Sequence, residues 1–145
     1  MSGIHQAEFV AYSPAQMYDL VADVDAYPSF LPWCVGASQM PSGEHRVRAT
    51  LKVAKGKIGY TFTTDNVLTP GSRIEMRLAN GPFKRLHGTW RFDPMPTGCR
   101  VSLDMEFEFT NRLVAAALSP LFKAMTSQLV ASFRHRAQAL YGRPA

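Results

Sequence analysis

The middle of the chain alternates between apolar and polar residues with a period of two. Residues 46–53, RVRATLKV, place Val47, Ala49, Leu51 and Val53 on one side of an extended chain and Arg46, Arg48, Thr50 and Lys52 on the other. The pattern resumes with Ile58, Tyr60, Phe62 and Thr64, then with Ile74, Met76 and Leu78 between Arg73, Glu75 and Arg77. Leu86, Gly88, Trp90 and Phe92 alternate with Arg85, His87, Thr89 and Arg91. The clearest run sets Val101, Leu103, Met105, Phe107 and Phe109 against Ser102, Asp104, Glu106 and Glu108. Lys55-Gly56-Lys57, Pro70-Gly71, Asn80-Gly81-Pro82 and Pro94 to Gly98 separate these runs as turns. An antiparallel sheet with one wet face produces this alternation. If the last two runs pair as a hairpin, arginines face carboxylates across the strands, and the acidic row is a self-neutralised solvated face.

The flanks read differently. Residues 4–11 form a first strand. Ser13 caps a helix with Pro14 at its first position, and AQMYDLVADV follows with Met17, Leu20, Val21 and Val24 on one stripe. Pro28 is expected to hold Tyr27 out of that helix. It opens the uncharged stretch YPSFLPWC, residues 27–34. Near the other end, Asn111 can cap a helix whose apolar stripe runs through Leu118, Leu121, Phe122, Met125, Leu129, Phe133, Ala137 and Leu140. Pro120 either kinks this helix or opens a second one behind Ser119. Such a stripe needs a large apolar partner, and the inner face of the sheet supplies it. The expected architecture is α+β: a curved antiparallel sheet wrapped around a long C-terminal helix, with short helical segments between the first and second strands. Gly59, Gly88 and Ala49 leave room for the sheet to bend.

Composition narrows the function classes. The chain has 145 residues, 46% hydrophobic and 19% charged, which fits a single globular domain over 1–145. By this reading no apolar run approaches the ~20 residues of a membrane span, and the N-terminus carries no secretory signal. Cys34 and Cys99 lie far apart and read as packing thiols of a reducing cytosol. His5, His45, His87 and His135 are scattered, so no metal site is expected. The net charge of +5 favours anionic partners.

The segments YPSFLPWC, LKVAKGKIGYTFTT, RIEMRLANGPFKRLHGTWRF, MEFEFTNRL and LVASFRHRAQALYG resemble the coenzyme Q-binding START-domain family. Its bacterial members include the ribosome association toxins, also labelled oligoketide cyclase/lipid transport-like. The resemblance covers nearly the whole chain. It implies the helix-grip fold of the START and Bet v 1-like proteins. It also implies binding of ubiquinone or another isoprenoid lipid in support of respiration, and, for some bacterial members, binding of the large ribosomal subunit that blocks subunit joining.

Three functions follow from these residues. A lipid or quinone carrier needs no cofactor; it would line its cavity with Phe30, Leu31, Trp33, Val53, Phe62, Ile74, Met76, Trp90, Phe92, Met105, Phe107, Phe122, Met125 and Leu129. Tyr27, Pro28 and Pro32 would stiffen its lip, as an apolar edge a tail slides past or as a plug closing the core. An enzyme of the cyclase type needs a placed acid or base, and this inward set holds no Asp, Glu, His or Lys, so no catalytic residue is assigned. A ribosome-binding protein would use Arg46, Arg48, Lys52, Lys55, Lys57, Lys84 and Arg85 against phosphates; no RRM, KH or similar RNA motif is present, and no DNA partner is expected. The expected location is the cytoplasm, with transient contact at the inner membrane, where the basic face meets anionic lipid.

Overall fold

The structure, a computed structural model, describes residues 2–142. Seven strands form one antiparallel sheet in the order β1-β7-β6-β5-β4-β3-β2. They are β1 (Ser2–Val10), β2 (Cys34–Gly43), β3 (Arg46–Lys55), β4 (Ile58–Thr69), β5 (Arg73–Asn80), β6 (Phe83–Met95) and β7 (Gly98–Phe109). Helix α1 (Pro14–Ala22) and a 3-10 helix (Val24–Ser29) join β1 to β2. Helices α2 (Arg112–Thr126) and α3 (Leu129–Tyr141) close the chain. The layout is the α+β helix grip.

The β3–β7 meander follows the alternation. In β6 and β7 the inward residues Leu86, Trp90, Phe92, Val101, Leu103 and Met105 are buried. On the opposite face Arg85 pairs in register with Glu108, and Arg91 lies 3.9 Å from Asp104. Helix α1 begins with a reciprocal cap. The Gln16 N–H donates to Ser13 Oγ at 3.1 Å, and the Ser13 N–H donates to Gln16 Oε1 at 2.9 Å. Asn111 caps α2 by accepting from the Val114 N–H at 2.9 Å.

Four local expectations are corrected. Residues 34–43 form strand β2, which the alternation did not show. It is an edge strand carrying Gly36, Pro41 and Gly43, with register shifts at both ends and one face largely exposed. Its only strong signal would have been its partner. Helix α1 stops at Ala22, short of the expected Val24; Tyr27 lies outside it as expected, but Tyr27 and Pro28 continue in the 3-10 helix. The fixed φ of proline suits that tighter turn. Pro120 sits within α2 on its exposed side and neither opens a helix nor marks the break. The break falls at Ser127–Gln128. Finally, the helical stretch Arg112–Tyr141 is long and apolar enough, by length and composition, to cross a membrane. Its buried stripe of Leu121, Phe122, Met125, Val130 and Phe133 packs into the concave side of the sheet.

Candidate functional site

A cavity of about 80 Å³ lies between the concave sheet face and the C-terminal helices. Strand β3 gives it Ala49 and Leu51, β4 gives Phe62, Thr64 and Asn66, and β5 gives Met76. Leu86 and Trp90 come from β6 and Met105 from β7. The helices close it with Phe122, Met125 and Thr126 of α2 and Leu129 and Phe133 of α3. Val24, Tyr27 and Trp33 complete the wall. Register explains the set. Val47, Asn66, Met76, Gly88 and Met105 are successive cross-strand partners, so they form one inward row across the sheet. Gly88 leaves that row open, since a Cβ there would stand 3.2 Å from Met76 Cε.

Aromatic rings hold the wall in place. Phe133 lies with its ring centroid 5.4 Å from those of Tyr27 and Trp90 and 5.5 Å from that of Phe30. Phe122 meets Phe107 at 4.2 Å. The Tyr60 hydroxyl donates to Met125 Sδ at 3.7 Å, tying β4 to α2.

The polar groups of the wall are neutral. Thr126 Oγ1 donates to the Phe122 carbonyl at 2.8 Å, and the Tyr27 hydroxyl donates to the Val21 carbonyl at 2.5 Å. Thr64 Oγ1 donates to Asn66 Oδ1 at 2.8 Å. Burial pushes the Tyr27 and Tyr60 hydroxyls well above the ordinary phenol range; at Tyr27 the thiol of Cys34 and the carboxyl of Asp23 add to it. Both stay protonated donors at neutral pH. Among the described residues no ionisable acid, imidazole, amine or thiol lines the cavity. Among the described residues no cluster of His, Cys, Asp and Glu could hold a metal ion.

The expected cavity residues divide. Trp33, Phe62, Met76, Trp90, Met105, Phe122, Met125 and Leu129 face the cavity. Phe30, Leu31, Val53, Ile74, Phe92 and Phe107 do not. Leu31 and Val53 are buried in packed core, and Phe92 lies between Trp90 and the edge of Tyr18 on α1. Phe107 is consumed by its contact with Phe122. Ile74 lines a second, smaller cavity of about 20 Å³, which shares Val24, Tyr27, Asn66, Met76 and Trp90 with the first. Phe30 is half-buried at the rim, with the Arg136 guanidinium 4.9 Å above its ring. Alternation assigns a face, but which part of that face α1, α2 and α3 cover is a tertiary matter. Of the lip residues, Tyr27 is buried in the wall, while Pro28 and Pro32 are exposed. Sequence reasoning left out several wall residues, Val24, Ala49, Leu51, Thr64, Leu86 and Thr126 and, more consequentially, Asn66 and Phe133. Both carried a signal: Asn66 is in phase with Phe62 and Thr64, and Phe133 is on the helical stripe.

The basic residues occupy the convex face and a hairpin tip. Arg46, Arg48 and Lys52 lie along β3, Lys55 and Lys57 flank the β3–β4 turn, and Lys84 and Arg85 begin β6. Arg48 is bonded to Asp65 at 2.9 Å and Lys84 lies 3.5 Å from Glu108. Lys52, Lys55 and Lys57 make no ion pair within 4.0 Å among the described residues. The structure also sets Arg73 directly opposite Arg91, a like-charge pairing that a sheet ordinarily avoids.

A protein-family profile described as "Polyketide cyclase / dehydrase and lipid transport" matches residues 10–134. The chain belongs to this family. It is 44% identical over 140 residues to the ribosome association toxin RatA of Pseudomonas aeruginosa, covering 96% of this chain and 97% of that one. It is 29% identical over 143 residues to the mitochondrial coenzyme Q-binding protein COQ10 homolog B of Xenopus laevis, covering 95% of this chain and 59% of that one. Among solved structures, the Zhui aromatase/cyclase of Streptomyces sp. R1128 superposes with a TM-score of 0.82 over 99% of both chains at 15% identity. That likeness establishes the shared START and Bet v 1-like fold.

Proposed function

We propose that the protein binds ubiquinone or a related isoprenoid lipid without catalysing a reaction, as a carrier or chaperone that supports respiration. The whole chain, 1–145, acts as one unit in this reading. One observation carries it: the cavity wall is mostly apolar and aromatic, and among the described residues no acid, imidazole, amine or thiol lies on it. Acid–base or nucleophilic chemistry needs such a group within reach of the substrate. An apolar tail needs only shape and burial. The name of the Xenopus relative supports the same ligand class.

The cavity is small for this task. Sites for drug-sized ligands measure roughly 300–1,000 Å³, against about 80 Å³ here. The wall therefore yields when occupied. Met76, Met105 and Met125 are its adaptable members, and the α2–α3 break gives the helical side freedom to shift. Trp33 and Phe30 at the rim act as the stiff lip. Lys52, Lys55 and Lys57, with the exposed Ile58 beside them, face anionic lipid while a tail is taken up. The protein works in the cytoplasm and visits the inner membrane surface.

Organic extraction of the natively purified protein followed by mass spectrometry tests the proposal. An isoprenoid quinone or lipid is the expected finding. An empty extract, together with no binding of an added short-tailed ubiquinone, overturns it.

The identity to ribosome association toxins favours a second reading, association with the large ribosomal subunit through the convex basic face. Phosphates would neutralise Arg46, Lys52 and the opposed Arg73 and Arg91. Overproduction is then expected to deplete joined ribosomes in a sucrose gradient, and charge reversal at Lys52, Lys55 and Lys57 to weaken the effect. An unchanged gradient rejects this reading. The lipid would occupy the cavity and the ribosome the surface, while both readings set Lys52, Lys55 and Lys57 against an anionic partner.

A further inference from the structure

Asn66 interrupts an otherwise apolar inward row, between Val47 and Met76. It is 6% exposed, as is Thr64 beside it. Burying a carboxamide in such a wall is unfavourable unless its groups are bonded. The Thr64 hydroxyl engages Asn66 Oδ1, so the amide nitrogen is the donor left for an occupant. The other polar groups of the wall are differently placed. The Tyr27 and Thr126 hydroxyls are spent on backbone carbonyls, and the indoles of Trp33 and Trp90 can only donate. Asn66 also faces both the main cavity and its smaller neighbour, so it stands at the partition between them. Of the wall residues Leu51, Trp33, Met76 and Leu129 are partly exposed, and Leu51, Trp33 and Leu129 do not border the smaller cavity, so they lie away from the partition.

The geometry points to Asn66 as the polar anchor of the cavity, donating through Nδ2 to a neutral carbonyl oxygen of the ligand, with Thr64 as its positioning residue. An apolar wall whose free polar groups are neutral N–H donors, with no cation among the described residues, selects against carboxylates and phosphates and for ketone or quinone oxygens. The head group then enters first, to the partition, and the tail lies toward Trp33 and Leu129. This rests on the lipid-binding reading and specifies the ligand's head and direction.

The test compares wild type, Asn66→Leu and Thr64→Val. Each is titrated with a decyl-tailed ubiquinone and with an alkylbenzene of the same tail length, followed by quenching of Trp33 and Trp90 fluorescence and by calorimetry. Asn66→Leu is expected to weaken quinone binding about tenfold, the equivalent of one hydrogen bond, and to leave the alkylbenzene unchanged. Thr64→Val gives the same selectivity at smaller amplitude and serves if Asn66→Leu fails to fold. Quinone binding unchanged in both variants, or equal loss for both probes, overturns the anchor and leaves the carrier reading standing. No binding of either probe by the wild type overturns both.

Discussion

The Val130 backbone N–H donates to Gln6 Oε1 at 3.2 Å, across a separation of 124 residues. The same side chain donates through Nε2 to the Thr126 carbonyl. Gln6, on β1, thus occupies the gap between α2 and α3 and bonds one orphan group from each side of it. A helix break leaves unpaired carbonyls behind it and unpaired N–H groups ahead of it. One amide satisfies both kinds here. Gln6→Leu removes both bonds without changing the strand. The expected cost is about 1–3 kcal/mol, from two partly buried backbone groups left without partners. Urea titration measures the loss. Hydrogen exchange should accelerate at residues 126–130 more than in β6 and β7.

Phe133 and the pair Phe30 and Trp33 touch one cluster but are expected to separate stability from binding. Phe133 is 1% exposed and packs edge-on against Tyr27, Phe30 and Trp90. Phe133→Ala should cost about 3–5 kcal/mol and bring the chain close to unfolding. Phe30 and Trp33 are only half-buried. The double variant Phe30→Ala, Trp33→Ala should keep its far-ultraviolet circular dichroism and lose quinone binding. Global unfolding of that double variant would instead make the stretch a plug.

Gly98 begins β7 against the end of β1. A Cβ at this position would stand 1.9 Å from the Val10 carbonyl oxygen and 2.8 Å from Ala11 Cα. Both obstacles are backbone, so no rotamer relieves them. Gly98→Ala should destabilise by about 3 kcal/mol or more, read as a fall in the thermal midpoint.

Stability should fall on the alkaline side. The Cys99 thiol is wholly buried; burial first, then the nearby Asp93 carboxylate, push it up to about 11 from a usual value of 9.0. The unfolded chain therefore releases this proton earlier than the folded one. The contribution is complete below the unfolded value and is lost as pH rises from about 9 toward 11. Tyr27 and Tyr60, raised by burial, extend the loss with the same sign. The urea midpoint should hold near pH 8 and drop by about pH 10.5, and Cys99→Ala should make the drop shallower. Thiol reagents should reach Cys99 only in the unfolded state.

Much of the fold was readable because strand alternation and capping are local. Val101 to Phe109 state their own two faces, and Ser13 and Asn111 announce helix starts within three residues of the bonds they make. Strand β2 was not readable. Gly36, Pro41 and Gly43 weaken its pattern, although its partner is the next strand, β3, which pairs with it as a hairpin from Gly43 opposite Arg46 onward. The α2–α3 break was not readable either, because Pro120 offered the stronger local signal, while Gln6, over a hundred residues away, braces the actual one.

For the site, the sequence by itself determined which residues turn inward: period two for strands and period three to four for helices leave little choice. Tertiary structure alone decided which of those inward residues meet empty space. Phe92 and Phe107 share the face of Trp90 and Met105, yet α1 and Phe122 cover them. Asn66 shares the phase of Phe62, and only the packing of the helices around it leaves its carboxamide at the boundary of two cavities. Burial against a distant element depends on where that element lands, and no local pattern carries that information.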